Sequence, residues 1–135
     1  MAKTGSFIHQ ATTLSDIASV GTSFDAAKKH AVRLRDRPSA YAVGANLSAI
    51  YVEVDTIAGG AAKLSIQVST DSAGDKIIVP STEATMGVGV TTGTKGAAVY
   101  DLSIAYAASS DQIYVFYKAD AGTVTIKSVS ISWSE

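Results

Sequence analysis

From residue 62 to residue 135 apolar and polar side chains alternate with a period of two, and this period constrains the chain more than any other feature of it. Successive side chains of a strand point to opposite faces, so such alternation builds a sheet with one dry and one wet face; a helix needs a period near 3.6. Residues 63–70 place Leu64, Ile66 and Val68 on one face and Lys63, Ser65, Gln67 and Ser69 on the other. Residues 49–56 do the same with Ile50, Val52 and Val54 against Tyr51, Glu53 and Asp55, and the Gly59-Gly60 pair ends that run. Tyr100, Leu102 and Ile104 share a face, and the run 112–118 is apolar on both, with Ile113, Val115 and Tyr117 opposite Tyr114, Phe116 and Lys118.

The closing run TVTIKSVSISWSE has a fault in its alternation. Val124 and Ile126 lie on one phase and Val129, Ile131 and Trp133 on the other, which predicts a β-bulge or bend near Lys127-Ser128. Upstream, Val32 and Leu34 alternate with Arg33 and Arg35 until Pro38 forces a break. Asp71–Asp75 (DSAGD) supplies a hairpin turn before Ile77 to Val79, and Pro80 is expected to close that short strand. Met86, Val88 and Val90 alternate with Gly87, Gly89 and Thr91, a strand bare on one face.

About eight short strands with Gly- and Asp-containing turns, and no sustained helical period, predict an all-β fold. The expected form is an antiparallel two-sheet β-sandwich, with a jelly roll favoured over immunoglobulin-like topology. Residues 31–135 form the sandwich in this reading, and residues 1–30 form an N-terminal arm or irregular segment, in which the short apolar group Phe7 and Ile8 within residues 1–12 reads as either an edge strand or a flexible arm.

At 135 residues the chain has the size of one ordinary domain. Only 17% of residues are charged and the net charge is −1, so polarity rests on Ser, Thr and Gly, and a domain built to neutralise nucleic-acid phosphates is not expected. With no cysteine, disulfides and thiolate metal sites are excluded. MAKTGSFIHQ has no apolar run behind its lysine, and no run of about 18 apolar residues occurs, so neither a signal peptide nor a membrane span is expected.

The residues that carry chemistry do not form a catalytic or metal-binding pattern. His9 and His30 lie apart without zinc-ligand spacing, and ordinary surface or partner-facing roles account for them. There is no G-x-S-x-G elbow, and the acids at 55, 71, 75, 83, 101, 111 and 120 fall mostly at strand ends or in turns, where Asp bonds its own backbone. The loop at 71–75 has two carboxylates but not the ligand series of an EF-type calcium loop. Thr92 to Gly96 lacks P-loop spacing and reads as a hairpin loop. No cofactor, no metal and no enzymatic activity are therefore expected.

Binding is the remaining class. Arg33, Arg35 and Arg37 would share one face of an extended segment, either solvated or presented to a partner's carboxylates. The aromatics Tyr51, Tyr100, Tyr106, Tyr114, Phe116, Tyr117 and Trp133 read either as a sugar-stacking platform or as core and subunit contacts. Exposure of Tyr51, Tyr114 and Trp133 in one plane would make the platform, and their burial would remove it.

The segments LSIQVSTDSAGDKIIVP, TTGTKGAAVYDL and DQIYVFYKADAGTVTIKSVSISW, covering roughly residues 62–135, resemble small virion proteins of tailed bacteriophages. Several of these are jelly-roll capsid decoration (cement) proteins or head fibres. The resemblance implies a non-enzymatic homo-oligomer, a trimer, on the capsid surface, bound to the major capsid protein or other virion proteins. Under it Phe7, Ile8, Arg33, Arg35, Arg37, Tyr114, Phe116 and Trp133 would meet neighbours. The alternative is a carbohydrate-binding or adhesion module on the same sandwich.

Overall fold

The computed structural model describes residues 6–10, 16–33, 45–86, 96–106 and 112–134. Nine strands follow one another: β1 (Ser6–Gln10), β2 (Ile17–Val20), β3 (Lys29–Arg33), β4 (Ala45–Ala58), β5 (Lys63–Ser69), β6 (Ile77–Thr85), β7 (Gly96–Tyr106), β8 (Gln112–Ala119) and β9 (Thr123–Ser134). They form two antiparallel sheets. In one, β9 pairs with β4, β4 with β7, and both β1 and β2 lie along the other edge of β9; the second runs β3-β8-β5-β6. The orders β2-β9-β4-β7 and β3-β8-β5-β6 are those of a jelly roll, so the expected all-β sandwich and its topology are both present.

The dry faces of the two sheets make one core. Leu64, Ile66 and Val68 of β5, Ile113, Val115 and Tyr117 of β8, and Ile50, Val52 and Val54 of β4 are all buried in it, as their alternation requires. Met86 joins them just beyond β6, while residues 87–95, which include the expected Val88 and Val90 positions, lie outside the described residues.

β9 contains the predicted fault. Glu53 faces Ser128 and Val54 faces Ile126, so Lys127 is an extra residue on β9; one step further Thr56 faces Thr125, which makes Asp55 an extra residue on β4. The two bulges cancel in register. They let Val124, Ile126, Val129 and Ile131 all point inward although the sequence changes phase between them.

Two expectations differ from what is found. Ile17–Val20, within the segment read as irregular, is a strand of the sandwich, and Ser6–Gln10 takes the edge-strand alternative, because β9 is longer than either and each covers a different half of its edge. Pro80 does not end β6, which runs through it to Thr85. β6 is an edge strand, and the register shifts by one residue between Ile66 and Val68, so the missing proline N–H falls where the ladder is already interrupted.

The turns after β4 and β8 pack against each other where the chain passes between sheets. Gly59 and Gly122 have φ of +70° and +59°, and a Cβ on Gly59 would lie 2.7 Å from the Gly122 Cα, while one on Gly122 would overlap the Ala58 carbonyl oxygen. Asp120 ties these turns together by accepting the Ala62 and Lys63 amides on Oδ1 at 2.9 and 3.1 Å. Burial alone would raise the Asp120 carboxyl, but these amides, with its own and that of Ala121, outweigh it and hold the group below its ordinary value. Asp71 likewise organises the β5–β6 loop, accepting from the Ser69 hydroxyl and from the Asp75 and Lys76 amides. The reading of these acids as turn-makers holds.

Gly122→Ala is expected to cost about 2–3 kcal/mol in urea unfolding, because it adds overlap to a positive φ. Gly60→Ala, with φ +82° but open space around it, should cost only about 1 kcal/mol. Because the native Asp120 carboxyl is lowered, its contribution is whole above about pH 4 and lost as the pH falls through the native value. Asp120→Asn, which keeps an acceptor but cannot titrate there, should flatten the acid limb of stability against pH.

Candidate functional site

Polar side chains inside the sandwich are few and partnered. His30, only 3% exposed, sits on the inner face of β3 opposite Val115, and its Nδ1 lies 2.9 Å from the Tyr117 hydroxyl of the adjacent β8, with the rings edge to face. Tyr100 on β7 donates its hydroxyl to the Leu64 carbonyl at 2.5 Å, a tie between the two sheets. Burial pushes both phenols up, with Glu83 adding to the effect at Tyr100 and Tyr100 at Tyr117. The sequence reading of His30 as a surface or partner-facing histidine is therefore corrected: it belongs to the core. Its place in a period-two row with the buried Val32 is the signal that would have shown this. Among the described residues no group of three His, Cys, Asp or Glu could hold a metal ion.

The wet face of the β3-β8-β5-β6 sheet is partly roofed by the chain itself. Phe116 points outward from β8 yet is 3% exposed: Gly74 of the β5–β6 loop lies over its ring, and the Lys29 Nζ is 5.8 Å from the ring centre. Tyr114, beside it in the pleat, is half-buried. The β2–β3 loop reaches the end of β8, where Gly21 accepts the Ala119 amide at 2.8 Å and the Lys118 ammonium lies 4.9 Å from the Phe24 ring centre. An open depression of about 510 Å³ borders this loop, lined by short side chains of Ser19, Thr22, Ser23 and Ala26 together with Phe24, Asp25 and Lys28.

The middle of the other sheet's wet face is exposed, while Ala49 and Ser132 toward one end of it are buried. Tyr51, at the middle of β4, is 42% exposed, and Val99, directly opposite on β7, is 52% exposed. Ser130 of β9 flanks Tyr51 on the other side. This row, Ser130-Tyr51-Val99, lies between two others: Ser132-Ala49-Asp101 on one side and Ser128-Glu53-Ala97 on the other. Glu53 and Asp101 are exposed, and Glu53 Oε2 accepts the Ser128 hydroxyl at 3.1 Å. Lys127 of β9 is paired with Asp16 at 3.6 Å. The arrangement is a flat face with an aromatic and an aliphatic side chain at its centre, carboxylates to either side and hydroxyls along one strand. Such a face can stack an apolar surface and accept hydrogen bonds from hydroxyl donors.

The sequence-selected residues do not gather here. Tyr51 and Tyr114 occupy the outer faces of opposite sheets, so they cannot share one platform, and Phe116 is already covered. Phe7 pairs in register with Trp133 and Ile8 with Ser132 along β1 and β9, and Arg33 faces Gln112 at the end of β3; the description of Phe7, Ile8, Arg33 and Trp133 extends to the backbone alone. Arg35 and Arg37 lie outside the described residues. Val99, Glu53 and Asp101 were not singled out as binding residues, because one aliphatic and two strand acids carry no pattern until the pleat aligns them around Tyr51.

No protein-family model matches the chain, and no curated protein matches it. Solved structures are similar in fold. A xylan-binding module, CBM15, aligns at TM-score 0.53 and 17% identity over 96% of this chain and 97% of that one. A carbohydrate-binding module from the family 9 glycoside hydrolase Cel9A of Ruminococcus flavefaciens FD-1 aligns at TM-score 0.52 and 12% identity over 95% and 98%. A chain of the cyanophage Pam1 capsid aligns at TM-score 0.48 and 14% identity over 97% and 85%. At these identities the likeness is one of fold: the chain is a β-sandwich module.

Tyr117→Phe is expected to cost about 1–2 kcal/mol in chemical denaturation, since it removes the hydroxyl that meets the buried His30 ring nitrogen. Both buried phenols are raised, so their contribution is whole below about pH 10 and lost as the pH climbs toward the native values. Stability against pH should therefore fall above about pH 10, and less steeply in Tyr117→Phe.

Proposed function

We propose that this chain is a non-enzymatic recognition module that binds a neutral polysaccharide on the outer face of the β9-β4-β7 sheet. The exposed pair of Tyr51 and Val99 at the centre of that face is the observation that carries the reading. The Tyr51 ring offers a stacking surface for the C–H face of a pyranose. Glu53 and Asp101 accept hydroxyl protons in charge-assisted hydrogen bonds, and Ser128 and Ser130 add weaker polar contacts along β9. The same two carboxylates repel uronate or sulfate groups, so the face selects against acidic polymers. Two solved structures of similar fold are named for carbohydrate binding, one of them for xylan, which makes a xylan-type polymer the first ligand to test.

In affinity electrophoresis, gels containing neutral xylan or β-glucan should retard the protein, and gels containing alginate should not. Tyr51→Ala, an exposed and structurally neutral change, should weaken binding by about 2 kcal/mol, roughly 30-fold in Kd. Absence of retardation by every neutral polysaccharide, or full binding by Tyr51→Ala, would reject the reading.

A second reading, a capsid decoration protein of a tailed phage, has one specific feature in its favour. Ile77 of β6 is 49% exposed and Val99 of β7 is 52% exposed, which puts a large aliphatic side chain on an edge strand of each sheet, as lateral contacts in a lattice require. In that reading Phe7, Ile8, Arg33, Arg35 and Arg37 add contacts to the major capsid protein, and the protein is found on the capsid surface. Incubation with expanded heads lacking it, followed by electron microscopy, should then show regular added density; bare heads would reject this reading.

A further inference from the structure

Each sheet of a sandwich ends in strands whose outer main-chain groups lack a partner, and such edges are normally blunted. β6 carries Pro80 and two register shifts, and its neighbour on that edge is charged, with Glu83 paired to Lys63 at 3.7 Å. β2 has four residues, an interrupted register and Ser19 at φ +57°. β1 and β3 have only five residues each.

β7 is less protected: its register shift lies at Leu102-Ser103, outside the Gly96 to Asp101 run, and its single charge is Asp101. It is 11 residues long, reads GAAVYDLSIAY, contains no proline and no basic residue, and pairs with β4 in unbroken register from Asp101 to Gly96. Among the described residues no strand pairs with its other edge. Water can solvate such a row, but its spacing is also a template on which a second strand completes a ladder.

We propose that β7 pairs antiparallel with β7 of a second copy of this chain, about a two-fold axis at Val99. The sequence of β7 is self-complementary in that register. Val99 faces Val99 of the second copy, so the most exposed aliphatic on the sheet covers itself, and the row becomes Tyr51-Val99-Val99-Tyr51 across four strands. Asp101 faces Ala97, and the two Asp101 carboxylates stand four residues apart along the strands, roughly 13 Å, beyond the Debye length of about 8 Å at physiological salt. Centring the axis on Tyr100 halves that separation, and centring it on Asp101 places the two acids in direct opposition, so charge disfavours those registers and the exposed Val99 side chain favours its own.

The consequence is one continuous sheet across both copies. Two Tyr51 rings would stand on the same face three strand spacings apart, about 14 Å, giving a divalent surface from a small module.

Sedimentation equilibrium on the wild-type chain tests the association, and cysteine pairing tests the register, since the chain has no thiol of its own. Wild-type protein is expected to sediment as a dimer at tens of micromolar, and Val99→Lys as a monomer. Val99→Cys should form a disulfide dimer on mild oxidation, because opposed strand positions have Cβ atoms within reach of an S–S bond. Ile77→Cys, equally exposed on the edge of the other sheet, and Ala97→Cys, which faces Asp101, should stay largely uncrosslinked. A wild-type monomer at about 100 µM, a trimer, or equal crosslinking at Ile77 and Val99 would each overturn the proposal.

Discussion

β9 is the strand on which this sandwich depends. It is paired along its whole length with β4 on one side and, half by half, with β2 and β1 on the other, so an error in its register would turn apolar residues of three neighbours outward at once. Its sequence nonetheless changes phase in the middle. The fold resolves this with two facing bulges, Lys127 on β9 and Asp55 on β4, which shift the inward set locally and restore the register beyond them. Both bulged residues are polar, which suits the side that leaves the ladder and meets water.

Turns within and between the sheets are held by polar groups used as fixed geometry. Asp120 and Asp71 each gather amides around one carboxylate oxygen, so their charge serves the turns and is not offered to a ligand. Gly59 and Gly122 allow two crossing turns to touch at main-chain distance, and no larger residue fits there. The histidine and the two tyrosines of the core follow the same rule from the other direction: each buried polar atom with a described bond meets a partner at hydrogen-bond distance. Among the described residues, Tyr51, Val99, Glu53 and Asp101 stay exposed together on the outer face of the β9-β4-β7 sheet.

Two of the chain's features were legible in advance for a physical reason. Alternation marked the inner residues of β4, β5 and β8 because strand side chains have a strict period of two, and the fault at Lys127 showed in the same signal. Pairing was less legible. Ile17 and Val20 alone do not announce β2, and only the free edge of β9 makes a strand of them. Pro80 read as a terminator because the sequence does not say which strand is at the edge, the one place where a proline costs little.

Candidate binding residues were the hardest to see, since a platform is a relation between strands. Tyr51 was visible as an aromatic on a polar phase, but its sharing of a face with Val99, Asp101 and Ser130 depends on the β4-β7 and β4-β9 registers. Phe116 looked equally available until the β5–β6 loop closed over it. By itself the sequence determined the strand character, the two faces of each strand and the acids that build turns, because these follow from local periodicity and short-range hydrogen bonding. Tertiary structure alone decided which strands are edges, which aromatics stay open and where the carboxylates stand around Tyr51, because those depend on pairings between residues as much as 128 positions apart, as between Ser6 and Ser134.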